Sequence, residues 1–313
     1  MAIVVNGLKK QYKSGKVALN GISFTVEDGE IFGFLGPNGA GKSTTMKILT
    51  TILKPTEGTI LVDGEDLQQN PIQQRSKFGY IAQDNSLDEN LTGRENLLLQ
   101  SRLYHIKDVA PRMEKIIDLI DLKDDIDELV SQYSGGMKKR LEIGCALLSE
   151  PKILFLDEPT LGLDVEVRRD IWKYIKKLSD DFNTTVFITT HYLEEADAIC
   201  DRISIISDGN IAAIGAPSEL KEKVGKEILQ VIVDQQEELP KAKDLIEALN
   251  YVENITQVDN TLMLMVDNAD SRMIETYECL RDKAIKVSGI ESKKVNLDDV
   301  YLYYTGEKYK DEQ

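Results

Sequence analysis

Long hydrophobic runs are missing from this 313-residue chain. No stretch approaches the ~18 consecutive apolar residues of a membrane span. The buried-looking runs, such as Ile153-Leu-Phe-Leu156, are strand-sized. The N-terminus, Met1-Ala-Ile-Val-Val5, has no basic segment leading into a long apolar core, so no secretory leader is expected. Positive charge is also short. The 38 Lys and Arg stand against 54 Asp and Glu, a formal net charge of −16. Sequence-blind nucleic-acid binding needs a surplus of Lys and Arg to neutralise phosphates, and docking on an anionic lipid surface needs the same; neither is expected. Cysteine is scarce: Cys145, Cys200 and Cys279 are odd in number, widely spaced and in no metal-ligand pattern. They read as core fillers in a reducing cytoplasm. Only His105 and His191 are available for histidine chemistry.

What is present is a globular composition, 42% hydrophobic and 29% charged, in a chain long enough for about two domains. Glycine marks the division: of 21, only Gly225, Gly289 and Gly306 lie beyond residue 220. Gly-dense segments are rich in turns and loops, where phosphate sites occur. Residues 1–220 read as α/β, with strands at Val17–Val26, Ile31–Leu35, 59–63, 78–82, Ile153–Leu156, 186–189, 203–206 and 210–214. Helices are expected at 42–53, 166–180 and 192–199, and a helical block over about 93–149. Strands alternating with helices imply a largely parallel sheet, and the helical block a subdomain. Residues 225–313 read as strand 228–233, helix 241–249, strands 255–258 and 262–266, helix 271–284 and strand 285–287. This β-α-β-β-α-β order is the ferredoxin-like pattern of a small α+β domain. It contains no catalytic-looking cluster.

Gly36-Pro-Asn-Gly-Ala-Gly-Lys-Ser43 matches G-x-x-x-x-G-K-[ST] in full, after an apolar strand and at the start of a helix. Gly36, Gly39 and Gly41 let the backbone wrap closely and aim N–H groups at phosphate oxygens, with the helix dipole behind them. Lys42 then bridges the β- and γ-phosphates, and the Ser43 hydroxyl ligates Mg²⁺. A plain Gly-rich βα turn explains the match less well, given its length and context. A second element is the strand Ile153–Leu156 running into Asp157 and Glu158. Acids at the C-terminal end of such a strand sit where open α/β sheets bind ligands. Asp157 suits a Mg²⁺ partner and Glu158 the polarisation of an attacking water. An N-capping acid before Pro159 would be the bland alternative if the phosphate loop were absent. A third element is Ser134-Gly135-Gly136-Met137 at a helix start, another anion-receiving geometry that alone reads equally well as a capped helix.

Taken in order, these motifs resemble the nucleotide-binding subunit of ATP-binding-cassette (ABC) transporters over roughly residues 2–220. The resemblance implies a P-loop NTPase cassette, residues 1–220, with a helical subdomain at about 88–150, then the accessory domain 225–313. It implies roles at matching positions. Tyr12 stacks on adenine, and Gly36, Pro37, Asn38, Gly39, Ala40, Gly41, Lys42, Ser43 and Thr44 form the Walker A loop. Gln83 is the Q-loop glutamine reaching Mg²⁺, beside Ser43 and Asp157. Ser134, Gly135 and Gly136 belong to the signature motif, in which Tyr133 and Met137 depart from the usual Leu and Gln. Glu158 is the catalytic carboxylate, Asp164 closes the D-loop Gly162-Leu-Asp164, and His191 is the switch histidine that contacts the γ-phosphate. The signature of one subunit completes the Walker A site of the other. The implied assembly is therefore a head-to-tail homodimer, or a pair with a paralogous cassette, closing on two ATP molecules.

Met137, the run Lys138-Lys-Arg140 and the C-terminal Leu297-Asp-Asp-Val-Tyr301, followed by Thr305-Gly306, resemble the ATPases of daunorubicin-resistance-type drug exporters. These pair with separately encoded type-2 permeases. The charge of Lys138–Arg140 reads as a solvated helix face. The expectation is an ATPase on the inner face of the cell membrane, held by a permease docking near 83–96 and exporting a drug-like, lipid or other hydrophobic substrate. The rival is a soluble ABC ATPase acting on a partner such as the ribosome, which usually carries two cassettes rather than one. A DNA-repair ATPase would split the motifs with a coiled coil, and a nucleotide kinase would lack Ser134–Gly136 and His191. A non-hydrolysing cassette is disfavoured by the presence of Lys42, Asp157, Glu158 and His191.

Overall fold

A computed structural model describes residues 1–83, 86–225 and 227–306. The chain divides into two compact units, Met1–Ile214 and Gly215–Gln313.

The first unit holds two sheets. Val17–Val26, Ile3–Gln11, Glu57–Val62 and Glu65–Asp66 lie side by side in an antiparallel sheet. The second sheet has six strands, in the order Asn210–Gly215, Arg202–Ser207, Ile31–Leu35, Thr185–Thr190, Ile153–Asp157, Phe78–Ile81. Its registered pairs are parallel. Every residue of Ile31–Leu35, Ile153–Asp157 and Thr185–Thr190 is buried, as strands covered on both faces must be. An aromatic cluster glues the sheets: Phe24 of the antiparallel sheet lies 5.7 Å from Phe32 and 6.0 Å from Phe187 of the parallel one. Phe32 and Phe34 point to that side, while a Cβ on Gly33, between them, would lie 2.8 Å from Cys200 Sγ on the other. Cys145 and Cys200 are buried and Cys279 half-buried, all with free thiols.

The helical block has the α-helices Gly93–Leu103, Val109–Leu119 and Gly135–Leu147, with a short 3-10 turn at Val130–Gln132, around a core of Leu97, Met113, Ile117, Ile120 and Leu141. Thr92 and Glu95 form a reciprocal capping box at its entry.

The second unit is a four-stranded antiparallel sheet in the order Val252–Val258, Thr261–Val266, Glu227–Val233, Val287–Lys294. With the helices Leu239–Glu247 and Ala269–Asp282 between strands, this is the split β-α-β arrangement expected. Apolar residues of those helices and of one sheet face form its core.

Several local expectations are corrected. The first strand, Ile3–Gln11, and the helices Pro217–Val224 and Leu297–Thr305 carry no expectation from sequence. The helix expected to reach Leu53 stops at Leu49, because Ile52 and Leu53 N–H groups both turn back to the Lys47 carbonyl. The last strand is Val287–Lys294, not 285–287. It is an edge strand, so its outward positions are polar and the apolar signal breaks after Val287.

Candidate active site

Four neighbouring strands of the parallel sheet end along one edge. Leu35 lies opposite Thr190, Asp157 opposite Thr189 and Ile81 opposite Leu156. The Gly36 loop, the Asp157-Glu158 pair, His191 and the exposed Gln83 therefore all leave the sheet at the same edge.

The loop after Leu35 is tight by construction. A Cβ on Gly36 would lie 2.3 Å from the Ile206 carbonyl oxygen; Gly41 has φ +120° and would meet Leu19 Cδ2 at 2.8 Å. Ala40 N–H donates to Pro37 O at 3.2 Å, and Ala40 O accepts from Gly209 N–H at 3.0 Å. With Asn38 and Gly39 at its turn, the loop leads into the helix Lys42–Leu49, whose first N–H groups have no intrahelical acceptor.

Lys42 is 3% exposed, and its ammonium donates to Gly36 O at 2.7 Å and Pro37 O at 3.3 Å. The same Nζ is 3.3 Å from Glu158 Oε1, and Glu158 Oε2 is 3.0 Å from His191 Nδ1. Thr189 Oγ1 donates to Asp157 Oδ1 at 2.5 Å and accepts from Glu158 N–H at 3.2 Å. Burial raises the Asp157 pKa, outweighing the Thr189 hydrogen bond. Burial pushes Glu158 up too, but the His191 hydrogen bond and the Lys42 charge win and hold it below the ordinary value. Burial lowers the pKa of Lys42 against the pull of both carboxylates. Glu158 has φ +49°, a left-handed conformation that costs a non-glycine residue about 1–3 kcal/mol. It aims the carboxylate between Lys42 and His191.

Tyr12 is 37% exposed, its hydroxyl lies 3.1 Å from Thr44 Oγ1, and the Lys10 ammonium stands over its ring 5.6 Å from the centroid, which sets the ring beside the loop helix. Ser43 is exposed. Among the described residues no group of three or more His, Cys, Asp or Glu side chains could hold a metal. One hydroxyl and one carboxylate, Ser43 and Asp157, are instead the sparse donor set that suits magnesium when phosphates and waters complete it.

The other predicted residues lie apart. Ser134 caps the helix Gly135–Leu147, accepting from Met137 N–H at 3.3 Å, and Asp164 caps Val165–Phe182 through Val167 N–H at 2.9 Å. A Cβ on Gly135 would touch Leu163 at 3.0 Å, and one on Gly136 would meet Val167 at 2.6 Å, so the Ser134–Gly136 turn packs on Leu163 and on the first turn of the helix Val165–Phe182. Among the described residues, no hydrogen bond or ion pair links Ser134, Gly135 or Gly136 to Lys42, Glu158 or His191. The two departures have a packing reason. Met137 is half-buried against the helical core, and Tyr133, 6% exposed, donates its hydroxyl to Asp125 O at 2.7 Å.

The expected solvated face at Lys138–Arg140 is corrected. Lys139 pairs with the buried Glu142 at 2.6 Å, and Arg140 donates to the carbonyls of Ile120 and Asp121. The sequence reading also missed Thr189, whose signal is a hydroxyl at the end of a buried strand, and a group beside it: Thr160, Arg168, Trp172, Tyr192 and Glu195.

The family model described as "ABC transporter" matches residues 19–161. The chain is 38% identical to the daunorubicin resistance ATP-binding protein DrrA3 of Streptomyces coeruleorubidus, covering 98% of this chain and 96% of that protein. The chain belongs to the ABC transporter ATP-binding family. It is an ATPase, the ATP-hydrolysing subunit of an ABC transporter. This ABC subunit is also 34% identical to the Nod factor export ATP-binding protein I of Sinorhizobium fredii, over 99% of its own length and 88% of the other. Among solved structures, the cassette resembles cbiO1 from Clostridium perfringens, part of an ABC transporter complex, at a TM-score of 0.66 and 28% identity, covering 79% of this chain and 98% of that one. It likewise resembles a dimeric bacterial ABC transporter cassette at a TM-score of 0.61 and 28% identity, over 68% and 98% of the two chains. No helix among the described residues is long and apolar enough to cross a membrane.

Proposed function

We propose that this subunit powers export of a drug-like, lipid or other hydrophobic molecule through a separate type-2 permease, working as a head-to-tail dimer that closes on two ATP molecules. One observation carries the reading: Lys42, Asp157, Glu158 and His191 converge at one sheet edge, while Ser134–Gly136 lies elsewhere on the same chain. A site divided in this way is completed by a second copy. The similarity to exporter subunits over nearly the whole chain supports the direction of transport.

Each residue then has a task. Backbone N–H groups of Gly36–Thr44 bind the phosphates, and Tyr12 stacks on the base. Lys42 leaves Glu158 for the β- and γ-phosphates when a triphosphate offers stronger negative charge. Freed of that partner, Glu158 accepts the hydrogen bond of the attacking water, and His191 on its other oxygen donates toward the γ-phosphate. The second copy brings Ser134, Gly135 and Gly136 to the γ-phosphate, and Asp164 orders the loop between the copies. Ser43, Asp157 and Gln83 would hold Mg²⁺, which when bound neutralises phosphate charge. The permease docks near Gln83–Asn96 and keeps the subunit on the inner face of the membrane; Asp84 and Asn85 of that segment lie outside the described residues. The −16 charge fits attachment through a protein contact rather than through lipid or nucleic acid.

Reconstitution of the subunit with its permease in lipid vesicles tests the reading. A fluorescent anthracycline should move only with Mg-ATP, and not with the Lys42→Ala subunit. ATP hydrolysis without movement of any amphipathic dye, and co-purification with ribosomes in place of a membrane protein, would contradict it.

A further inference from the structure

The switch histidine is supported from behind by a stack that its chemistry does not explain. The His191 ring lies against the Tyr192 ring, centroids 4.0 Å apart and planes tilted by 42°. On Tyr192 sits the Arg168 guanidinium, its Cζ 3.7 Å from the ring centroid. Arg168 Nη2 donates to Leu163 O at 3.2 Å, and its buried Nε has no hydrogen-bond partner among the described residues. The guanidinium is therefore held by an aromatic face and one carbonyl of the Gly162–Asp164 loop, a geometry suited to arginine's planar cation. Both ends of the stack stand on a fixed frame. Glu195, 0% exposed, accepts at Oε1 from Thr160 Oγ1 at 3.0 Å and from Trp172 Nε1 at 2.8 Å. That clamps the helix bearing Arg168 to the helix that follows Tyr192.

We propose that Arg168 and Tyr192 are a positioning pair that holds His191 on Glu158 and reports the placement of the 162–164 loop to it. This rests on the reading of His191 as the group facing the γ-phosphate. Neither residue touches the reacting atoms. Their effect is to keep a side chain with two free torsions in one rotamer, so that closure of the loop against a second copy and delivery of His191 occur together. Loss of the pair leaves the phosphate loop and Tyr12 untouched, so nucleotide affinity is kept while turnover falls.

The test uses the full-length subunit in a double-mutant cycle of Arg168→Gln and Tyr192→Ala, with Tyr192→Phe and His191→Ala beside it. The measurements are steady-state ATPase, nucleotide affinity and thermal melting. Arg168→Gln and Tyr192→Ala should each lower kcat about tenfold with KM for ATP within about twofold, and the double variant should fall no further than the worse of the two. Tyr192→Phe, which keeps the ring, should retain the wild-type kcat. Multiplicative losses in the double variant, a Phe variant as poor as Ala, or wild-type kcat in both single variants would overturn the pair. A His191→Ala subunit at the wild-type rate would instead sink the underlying role of His191, whatever the stack does.

Discussion

The carboxylate of Glu158 is held at both oxygens, 3.3 Å from Lys42 Nζ and 3.0 Å from His191 Nδ1. In the proposed mechanism its two partners are the residues that compete for, or approach, the same phosphate. On the mechanism we propose, the ion pair between Lys42 and Glu158 keeps the water-polarising group occupied until a triphosphate draws the lysine away. Both members are nearly fully buried, so the exchange takes place where charge interactions are strong.

Lys42→Ala should abolish turnover by removing the cation that draws phosphate in and stabilises it during transfer. Loss of one such preorganised donor costs about 10²–10³ in rate. ATPase assay of the purified subunit checks this, and a loss below about tenfold would argue against the lysine's place at the phosphates.

Gly136→Ala should destabilise the contact between the signature helix and the helix Val165–Phe182. The new methyl would stand 2.6 Å from Val167 Cγ1, and overpacking of this kind costs about 1–3 kcal/mol. Chemical denaturation should show the loss, and adding Val167→Ala should recover most of it. An equally unstable double variant would place the cause elsewhere.

Glu195 gives a pH-dependent prediction. Burial raises its pKa, outweighing hydrogen bonds from Thr190, Thr160 and Trp172. An acid whose folded pKa lies above its unfolded value favours the folded state while it is protonated. Its contribution is therefore complete below the ordinary carboxylate pKa and is lost as pH rises through the folded value. Glu195→Gln keeps the Oε1 acceptor without the charge, so its stability relative to the wild type should grow from pH 5 to pH 8. A constant difference across that range would contradict the assignment.

Glu142 links the helix Gly135–Leu147 to Ser86, in the segment where we propose the permease docks. Only 4% exposed, its carboxylate accepts from Ser86 N–H at 2.9 Å and pairs with Lys139 at 2.6 Å. Glu142→Ala should leave the basal ATPase of the isolated subunit within about twofold while reducing its stimulation by the permease. It should cost about 1.5–3 kcal/mol of stability, the worth of a charge-assisted hydrogen bond. Unchanged stimulation in reconstituted vesicles would disconnect this tie from the partner.

The motifs that carry chemistry were legible because each is local. The phosphate loop needs glycine at positions where a Cβ would strike Ile206 or Leu19, and an apolar strand ending in Asp157-Glu158 has few other readings. The ferredoxin-like order was legible for the same reason, from alternating apolar segments. What escaped depends on distant partners. Thr189, Arg168, Tyr192 and Glu195 look ordinary along the chain, and only the parallel register and the packing of two helices bring them to the site. The strand Ile3–Gln11 was hidden because its glycine and polar residues interrupt a pattern that pairing on both sides restores. The left-handed backbone at Glu158 has no sequence signal, since glutamate rarely adopts it.

In the proposed mechanism Glu158 drives hydrolysis within an ATP-closed pair of subunits. This is tested most directly by incubating full-length Glu158→Gln with Mg-ATP and measuring its mass in solution together with the bound nucleotide. A stable dimer holding two unhydrolysed ATP molecules is expected, with turnover reduced about 10²-fold or more. A monomer that hydrolyses ATP at the wild-type rate would contradict it.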